Sequence, residues 1–328
     1  MSHGSRSGGN FVRLMTQTGH SGLLLVAAAM LVISQAARAE QSYSRGQNAS
    51  PAYEGWETDA DGSRYFLFGY FNRNWEEALD VPIGPDNYFE PGEADQGQPT
   101  HFFPRRNRFV FRVPVPDNFN ATDELVWTLT TQGKEEKAYA TLRIDYFVDN
   151  LVRASEQGAL GAGTSDAVMR GNKVPELMIE GNVHRAVRVG EPLTLIARAS
   201  DDGIPKPGQA GGSFGRPRNS GTYSTARPDW RPPWQITVGS SVGLRLSWYV
   251  YRGAGRVTFD PLQAKVWEDT RDGANSPWAN RWVTPPLPPD GRWEVQVTFD
   301  TPGTYVLRCL ASDGGLDANE DRTITVTH

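Results

Sequence analysis

Trp293, Val295, Val297 and Phe299 fall on one side of an extended chain, and Arg292, Glu294, Gln296 and Thr298 fall on the other. A strand alternates its side chains with period two, so a run like this folds as a strand with one buried face and one wet face. The pattern recurs. Leu193, Leu195, Ala197 and Ala199 share a face. Leu244, Leu246, Trp248 and Val250 share another, opposite Arg245, Ser247 and Tyr249. Tyr305, Leu307, Cys309 and Ala311 form a fourth set, and Ile324 with Val326 a fifth.

The preceding half also reads as strands. The aromatic run at 65–71 is apolar on both faces, 108–113 and 125–130 alternate, and 137–148 reads as one longer strand. Asp117, Asn118 and Asn120 mark a turn, and Gln132-Gly133-Lys134 a short hairpin. Glycines 158, 161, 163 and 171 among Ala and Ser break the pattern, and a short helix fits near 150–157. With 328 residues, two domains is the natural division. The expected fold is all-β, with two β-sandwich domains in series. The expected boundaries are a signal peptide at 1–39, a flexible leader at 40–52, a first sandwich at 53–149, a linker at 150–173, and a second sandwich at 174–328 with an inserted loop at 204–238.

Short runs at 177–179 and 257–259 bring the second sandwich to seven strands, the number expected of an immunoglobulin-like domain. A Trp in the third strand and a Tyr opening the sixth fit that architecture. The partner cysteine is missing, so Cys309 reads as a small buried hydrophobe. The sequence from Phe299 through Asp300-Thr301-Pro302-Gly303-Thr304-Tyr305 to Asp313 resembles the sixth-strand signature of polycystic-kidney-disease (PKD) domains and their cadherin-like relatives. Val189-Gly190-Glu191-Pro192-Leu193, followed by Ala199-Ser200-Asp201-Asp202-Gly203, is similar to their second strand and its exit loop. The resemblance covers about 174–328 and implies a fold, since such modules serve both as spacers and as binding units. Insertions after Gly203 and between Val266 and Pro289 depart from it. The first sandwich resembles only uncharacterised exported bacterial proteins that carry a segment like Gly69-Tyr70-Phe71-Asn72-Arg73-Asn74.

Arg6 and Arg13 precede an apolar run at 23–33, and Ala37-Arg38-Ala39 places small residues where a signal peptidase reads. The run falls short of the ~20 residues a spanning helix needs, and no basic cluster follows it. Cleavage before Glu40 is therefore expected rather than a membrane anchor, leaving no membrane span in the mature chain. No cysteine or twin-arginine pair accompanies the run, which fits the general secretory route. The expected location is exported, periplasmic or extracellular. Cys309 is the only cysteine, so an internal disulfide is excluded, which suits bacterial export. The 38 acidic residues nearly balance the 33 basic ones, against the basic footprint nucleic acid requires.

Gly211-Gly212-Ser213-Phe214-Gly215 matches a hydrolase nucleophile pattern, but lies in a Gly/Pro/Arg-rich loop instead of a strand-to-helix elbow. Asp59, Asp61 and Gly62 resemble the start of a calcium loop, but Phe68 stands where the closing Glu belongs, so a turn into the aromatic strand is expected. His101, His184, His328 and Cys309 have no ligand spacing. Two loops of the second sandwich carry Asp201 and Asp202, and Asp313, Asp317, Glu320 and Asp321. In this architecture both loops lie at one end, so these residues read either as calcium ligands or as solvated turn residues. The long segment 76–106 is acidic early and ends on His101, Arg105 and Arg106, with Tyr88, Phe89, Phe102 and Phe103 interspersed. It reads as a binding loop or as a lid on the second face of the 65–71 strand. The 204–238 loop adds Trp230 and Trp234 among arginines, as a binding or a mobile surface loop. Three functions follow in order. The first is a non-enzymatic binding or structural module contacting an envelope or extracellular protein. The second is a carbohydrate-binding protein, and the third a hydrolase using a carboxylate pair.

Overall fold

The computed structural model describes residues 44–157, 169–206, 243–263, 288 and 290–328. The expected signal segment, most of the 204–238 loop with Trp230 and Trp234, Ser213, and most of the second insertion lie outside the described residues.

The first sandwich pairs β1 (Ala49–Thr58), β2 (Arg64–Asn72) and β6 (Arg105–Pro114) in one antiparallel sheet. Opposite lies a sheet of β4 (Asn87–Glu90), β7 (Leu125–Thr131) and β8 (Lys134–Ala140), with a short ribbon of β3 (Leu79–Asp80) and β5 (His101–Phe102). Trp127 is fully buried at the centre, stacked on Phe89 at 5.8 Å and edge-on to Phe111 at 5.1 Å. Its indole N–H donates to Asn87 Oδ1, and Asn87 Nδ2 donates to the carbonyls of Val81 and Pro99. One buried amide therefore ties the 76–106 segment into the core.

Three expectations about this half are corrected. The leader expected over 40–52 runs into β1, whose residues from Ala49 to Ala52 pair with β2, and Ala49 is fully buried. Strand 137–148 stops at Ala140, and the chain turns through a 3₁₀ helix at Ile144–Tyr146. The second face of β2 is not covered by Tyr88, Phe89, Phe102 and Phe103. Phe66, Phe68 and Tyr70 point inward, and Phe89 and Phe102 meet Phe68 and Tyr70 on that inner side. Leu67 points the other way and packs on Phe109 and Val148. The backbone carries this arrangement at Gly69, where a Cβ would lie 2.3 Å from both the Asn107 carbonyl and Glu54 Oε1, and at Phe109, which adopts φ +49°.

The connection holds α1 (Asn150–Glu156), capped by Asp149 Oδ1 accepting from the Val152 amide at 2.8 Å. In the second sandwich one sheet orders β13 (Val257–Asp260), β14 (Arg292–Phe299), β11 (Leu193–Ser200) and β9 (Glu176–Ile179). The other orders β10 (His184–Arg188), β16 (Asp317–Thr327), β15 (Gly303–Ser312) and β12 (Arg245–Arg252). This is an immunoglobulin-like β-sandwich with one more strand than expected. The extra strand is β10, a half-exposed edge pairing parallel to β16, whose His-Arg-Ala-Val-Arg sequence has almost no apolar face. Trp248 stands opposite Cys309 in register, and both are buried. The Tyr305 hydroxyl donates within reach of the Thr301 and Ala254 carbonyls, at 2.9 and 2.7 Å. Gly253 and Gly255 pass so close to this side chain that a Cβ would lie 2.5 Å from its ring and 2.7 Å from its hydroxyl.

The outer faces of both sheets were expected to be polar and solvated. For the β13–β14–β11–β9 face this holds, with pairs such as Arg198–Glu180 at 3.0 Å. For the β12–β15–β16 face it fails. Tyr249, Tyr251 and Leu310 are buried and join the core of the first sandwich, with Val306 packed against it. Tyrosine alternates like a polar residue in sequence yet has a large apolar ring to bury. Residues from Tyr43 to His328 accordingly form a single compact unit.

Candidate functional site

Between the two sandwiches runs a crevice of about 1220 Å³. One wall is the outward face of β15 and β16, the other is β1, β6 and the start of α1. Arg153 of α1 reaches Glu57 at 3.3 Å and Asp317 at 3.4 Å. Arg308 makes a two-toothed pair with Asp321, at 2.7 and 2.8 Å. Its guanidinium lies 3.5 Å over the Tyr251 ring, and its Nη1 donates to the Val110 carbonyl of the first sandwich at 2.8 Å. Arg112 pairs with Asp59 at 3.0 Å and covers Tyr65. Burial pushes the Tyr251 hydroxyl up to about 12, against the pull of the Arg308 charge. Glu57 and Asp317, one from each wall, both engage Arg153. Arg153 fills the space between them, so they act as a two-sided clamp on one guanidinium.

The 76–106 segment closes one end of this junction. Tyr251 Oη donates to the Gly97 carbonyl, Arg252 Nε to the Gln98 carbonyl, and the Thr100 amide to the Tyr251 carbonyl. Arg252 and Asp95 pair at 2.6 and 2.9 Å, and the pair holds the Asp95 carboxyl below its ordinary range. Phe103 meets Tyr249 edge-on at 5.7 Å.

Of the expected binding residues, Phe89 and Phe102 are core and out of reach of a partner, a correction that follows from their inward parity. Tyr88 is half-buried on the outer side of β4, opposite Thr128. His101 Nδ1 lies 2.6 Å from Asp80 Oδ1. Arg105, at φ +68°, stacks 3.7 Å over Trp75. Arg106 pairs with the buried Glu54 at 2.6 Å. Burial raises the Glu54 carboxyl above its ordinary range, with the Arg106 charge opposing.

The five aspartates divide, and Asp201 stays within its own loop, its Oδ2 accepting from the Gly203 amide. Asp313 is fully buried and accepts from the amides of Gly315 and Leu316 and from Asn172 Nδ2. Asp202 Oδ2 accepts from the Lys173 amide, which brings residues 172–173, 202 and 313 together. Asp317 and Asp321 turn instead to Arg153 and Arg308. No group of three or more His, Cys, Asp or Glu side chains is placed to hold a metal among the described residues. The Asp59–Gly62 segment is a turn, closed by the Gly62 amide on the Asp59 carbonyl.

The sequence reading missed one surface. Ile144 is 74 % exposed, Tyr146 47 % and Phe147 41 %. Tyr53 backs Tyr146 at 5.4 Å, tilted by 51°, and Trp56 backs Phe147 at 4.9 Å, tilted by 63°. Trp56 Nε1 donates to the Arg143 carbonyl and Tyr53 Oη to that of Thr141, which fixes the turn on β1. The signal was present as Ile144-Asp145-Tyr146-Phe147, where two large apolar residues flank an Asp-Tyr step that a half-buried strand would not carry. No helix among the described residues is long and apolar enough to cross a membrane.

No protein-family model matches the chain, and no curated protein matches it. Among solved structures the chain is similar to immunoglobulin domains 1–5 of Sidekick-1, at 12 % identity over 85 % of this chain and 38 % of that one. It is also similar to an I-band fragment of titin, at 8 % identity over 85 % and 64 %, and to the S-layer protein rSbsC, at 8 % over 85 % and 28 %. The chain spans well under half of the Sidekick-1 fragment. The TM-score is 0.22 in all three. Likeness that low carries no weight for function, and the fold stands on the strand pairing described above.

Proposed function

We propose that this chain is an exported, non-enzymatic module that contacts another protein. The observation that carries the reading is the exposed strip of Ile144, Tyr146 and Phe147, held rigid by Tyr53 and Trp56. An apolar surface of this kind, fixed in place and left in water, is what a protein interface uses as its centre. Export rests on the apolar run at 23–33 and its Ala-Arg-Ala site. The PKD type of the second sandwich is supported by the Tyr305 corner and the sequence around it. The crevice ions are paired with one another, which suits a junction that sets one sandwich against the other more than a reaction centre.

The test is capture of a partner from the producing organism's envelope extract, run with the full chain and with Ile144→Ser/Phe147→Ser. Both residues are exposed, so the double variant should melt within a few degrees of the parent. A partner captured by the parent and lost by the variant is the expected result. Equal capture by both, or glycan binding on an array without protein capture, would overturn the reading.

A further inference from the structure

β16 has a neighbour on each side only over its second half. β15 runs along it from Asp317 to Val326, whereas β10 meets only Thr323 to Thr327. The Thr323 amide donates to the Val183 carbonyl, and the Thr327 carbonyl accepts from the Val189 amide, so these residues direct their backbone groups to the β10 side. No register shift interrupts the β15–β16 ladder. By the alternation of an antiparallel pair, Asp317, Asn319 and Asp321 direct theirs the same way, beyond the end of β10. Arg322 Nη1 takes the Asp321 carbonyl. The amides of Asn319 and Asp321 and the carbonyls of Asp317 and Asn319 have no backbone partner among the described residues. The crevice opens beside them, between Asn319 and the stretch from Arg170 to Val174.

Three other edges are less open. β8 carries Lys134, Glu135, Glu136 and Lys137, a charged edge that resists pairing. Thr100 occupies β12, and Arg308 takes a carbonyl of β6. On β16 the acidic side chains Asp317, Glu320 and Asp321 are already engaged by Arg153, Arg322 and Arg308 and do not repel an incoming strand. We propose that this half-edge receives an extended segment of a partner protein, added as a strand in line with β10. Unpaired backbone at a strand edge recruits such segments by main-chain hydrogen bonds. Phe147 and Val174, 41 % and 49 % exposed on the crevice wall, select a segment with alternate apolar residues and few charges. The inference rests on the reading of the chain as a protein-contacting module.

The probe is a random nonapeptide library displayed on phage, panned against the full chain. Asn319→Pro removes one outward amide and no bond to β15. Selected peptides are expected to lose about tenfold in affinity on that variant, the worth of one to two hydrogen bonds. In the free chain the amides of Asn319 and Asp321 should exchange faster than those of Ala318 and Glu320, and bound peptide should slow them. Peptides that bind parent and variant alike, or a library that yields no binder, would overturn the strand-addition site. Slow exchange at Asn319 and Asp321 in the free chain, as a homodimer through this edge gives, would also overturn it. If Asn319→Pro does not fold, the exchange comparison on the parent decides alone. Because Phe147 also lines the crevice, the two readings are separated with Ile144→Ser alone in partner capture and Asn319→Pro in peptide binding, so failure of the edge and failure of the protein-contact reading are separable.

Discussion

Arg308 and Tyr251 sit on neighbouring strands of the second sandwich with the guanidinium 3.5 Å over the ring, and the same guanidinium donates to Val110 of the first. Asp321 holds its other side in a two-toothed pair. A single side chain thus packs on one sandwich, hydrogen-bonds the other, and has its charge matched where both exclude water.

Arg308→Met keeps most of the packing and removes the charge, leaving the Val110 carbonyl without its donor and Asp321 without its partner. Breaking a buried pair by removing one member costs on the order of 3–5 kcal/mol. Asp321 is part-exposed, so the lower end is expected. Urea unfolding followed by tryptophan fluorescence should show the unfolding free energy fall by that amount, with a lower midpoint. An unchanged midpoint would mean that the sandwiches dock without this contact.

Cys309 is fully buried opposite Trp248, and burial pushes its thiol well above the ordinary range. The thiolate is the reactive form, so the native chain should label with a thiol reagent only as fast as it unfolds. Labelling rates measured across the urea transition should track the unfolded fraction. Rapid labelling in buffer alone would contradict the placement.

Asp313 titrates at about 6 in the folded chain, raised from 3.8 mainly by burial, while its amide donors and Asn172 pull the other way and Asp201 adds to the rise. Because the folded pKa is the higher one, folding takes up a proton as pH falls. Stability from this group is therefore gained between pH 6 and 4, and lost as pH rises through 6. Two units correspond to roughly 2–3 kcal/mol at most. Asp313→Asn removes the titration, and the Asn172 amide can turn its unpartnered Oδ1 toward the new side chain. The stability difference, variant minus parent, should shrink by about 2 kcal/mol between pH 7.5 and 4.5. Parallel stability curves would contradict the assignment.

Much of the fold was legible because alternation is a local property. Leu193 to Ala199, Trp293 to Phe299 and Tyr305 to Ala311 declare their buried faces residue by residue, and the structure buries those faces. β10 was illegible because an edge strand held by backbone pairing needs no apolar face. The 76–106 segment was legible as unusual but not in its role. Asp95, Gly97, Gln98 and Thr100 hold β12 through backbone carbonyls, side-chain oxygens and an amide, and nearly every residue type has those.

The sequence by itself determined seven of the strands of the second sandwich, the all-β class and the burial of Cys309, since each follows from period-two patterning against water. Only the tertiary structure decided which wet-looking faces stay wet. Tyr249 and Tyr251 alternate as polar residues do, and go into a shared core because a second sandwich lies close enough to cover their rings. Ile144 and Phe147 are apolar and stay exposed because hydrogen bonds from Trp56 and Tyr53 hold the turn out on β1. Asp317 and Asp321, alike in sequence to Asp201 and Asp313, were drawn away by arginines of α1 and β15. Contacts such as Trp56 with Arg143, Tyr249 with Phe103 and Arg153 with Asp317 join residues far apart in the chain, and local patterning carries no record of them.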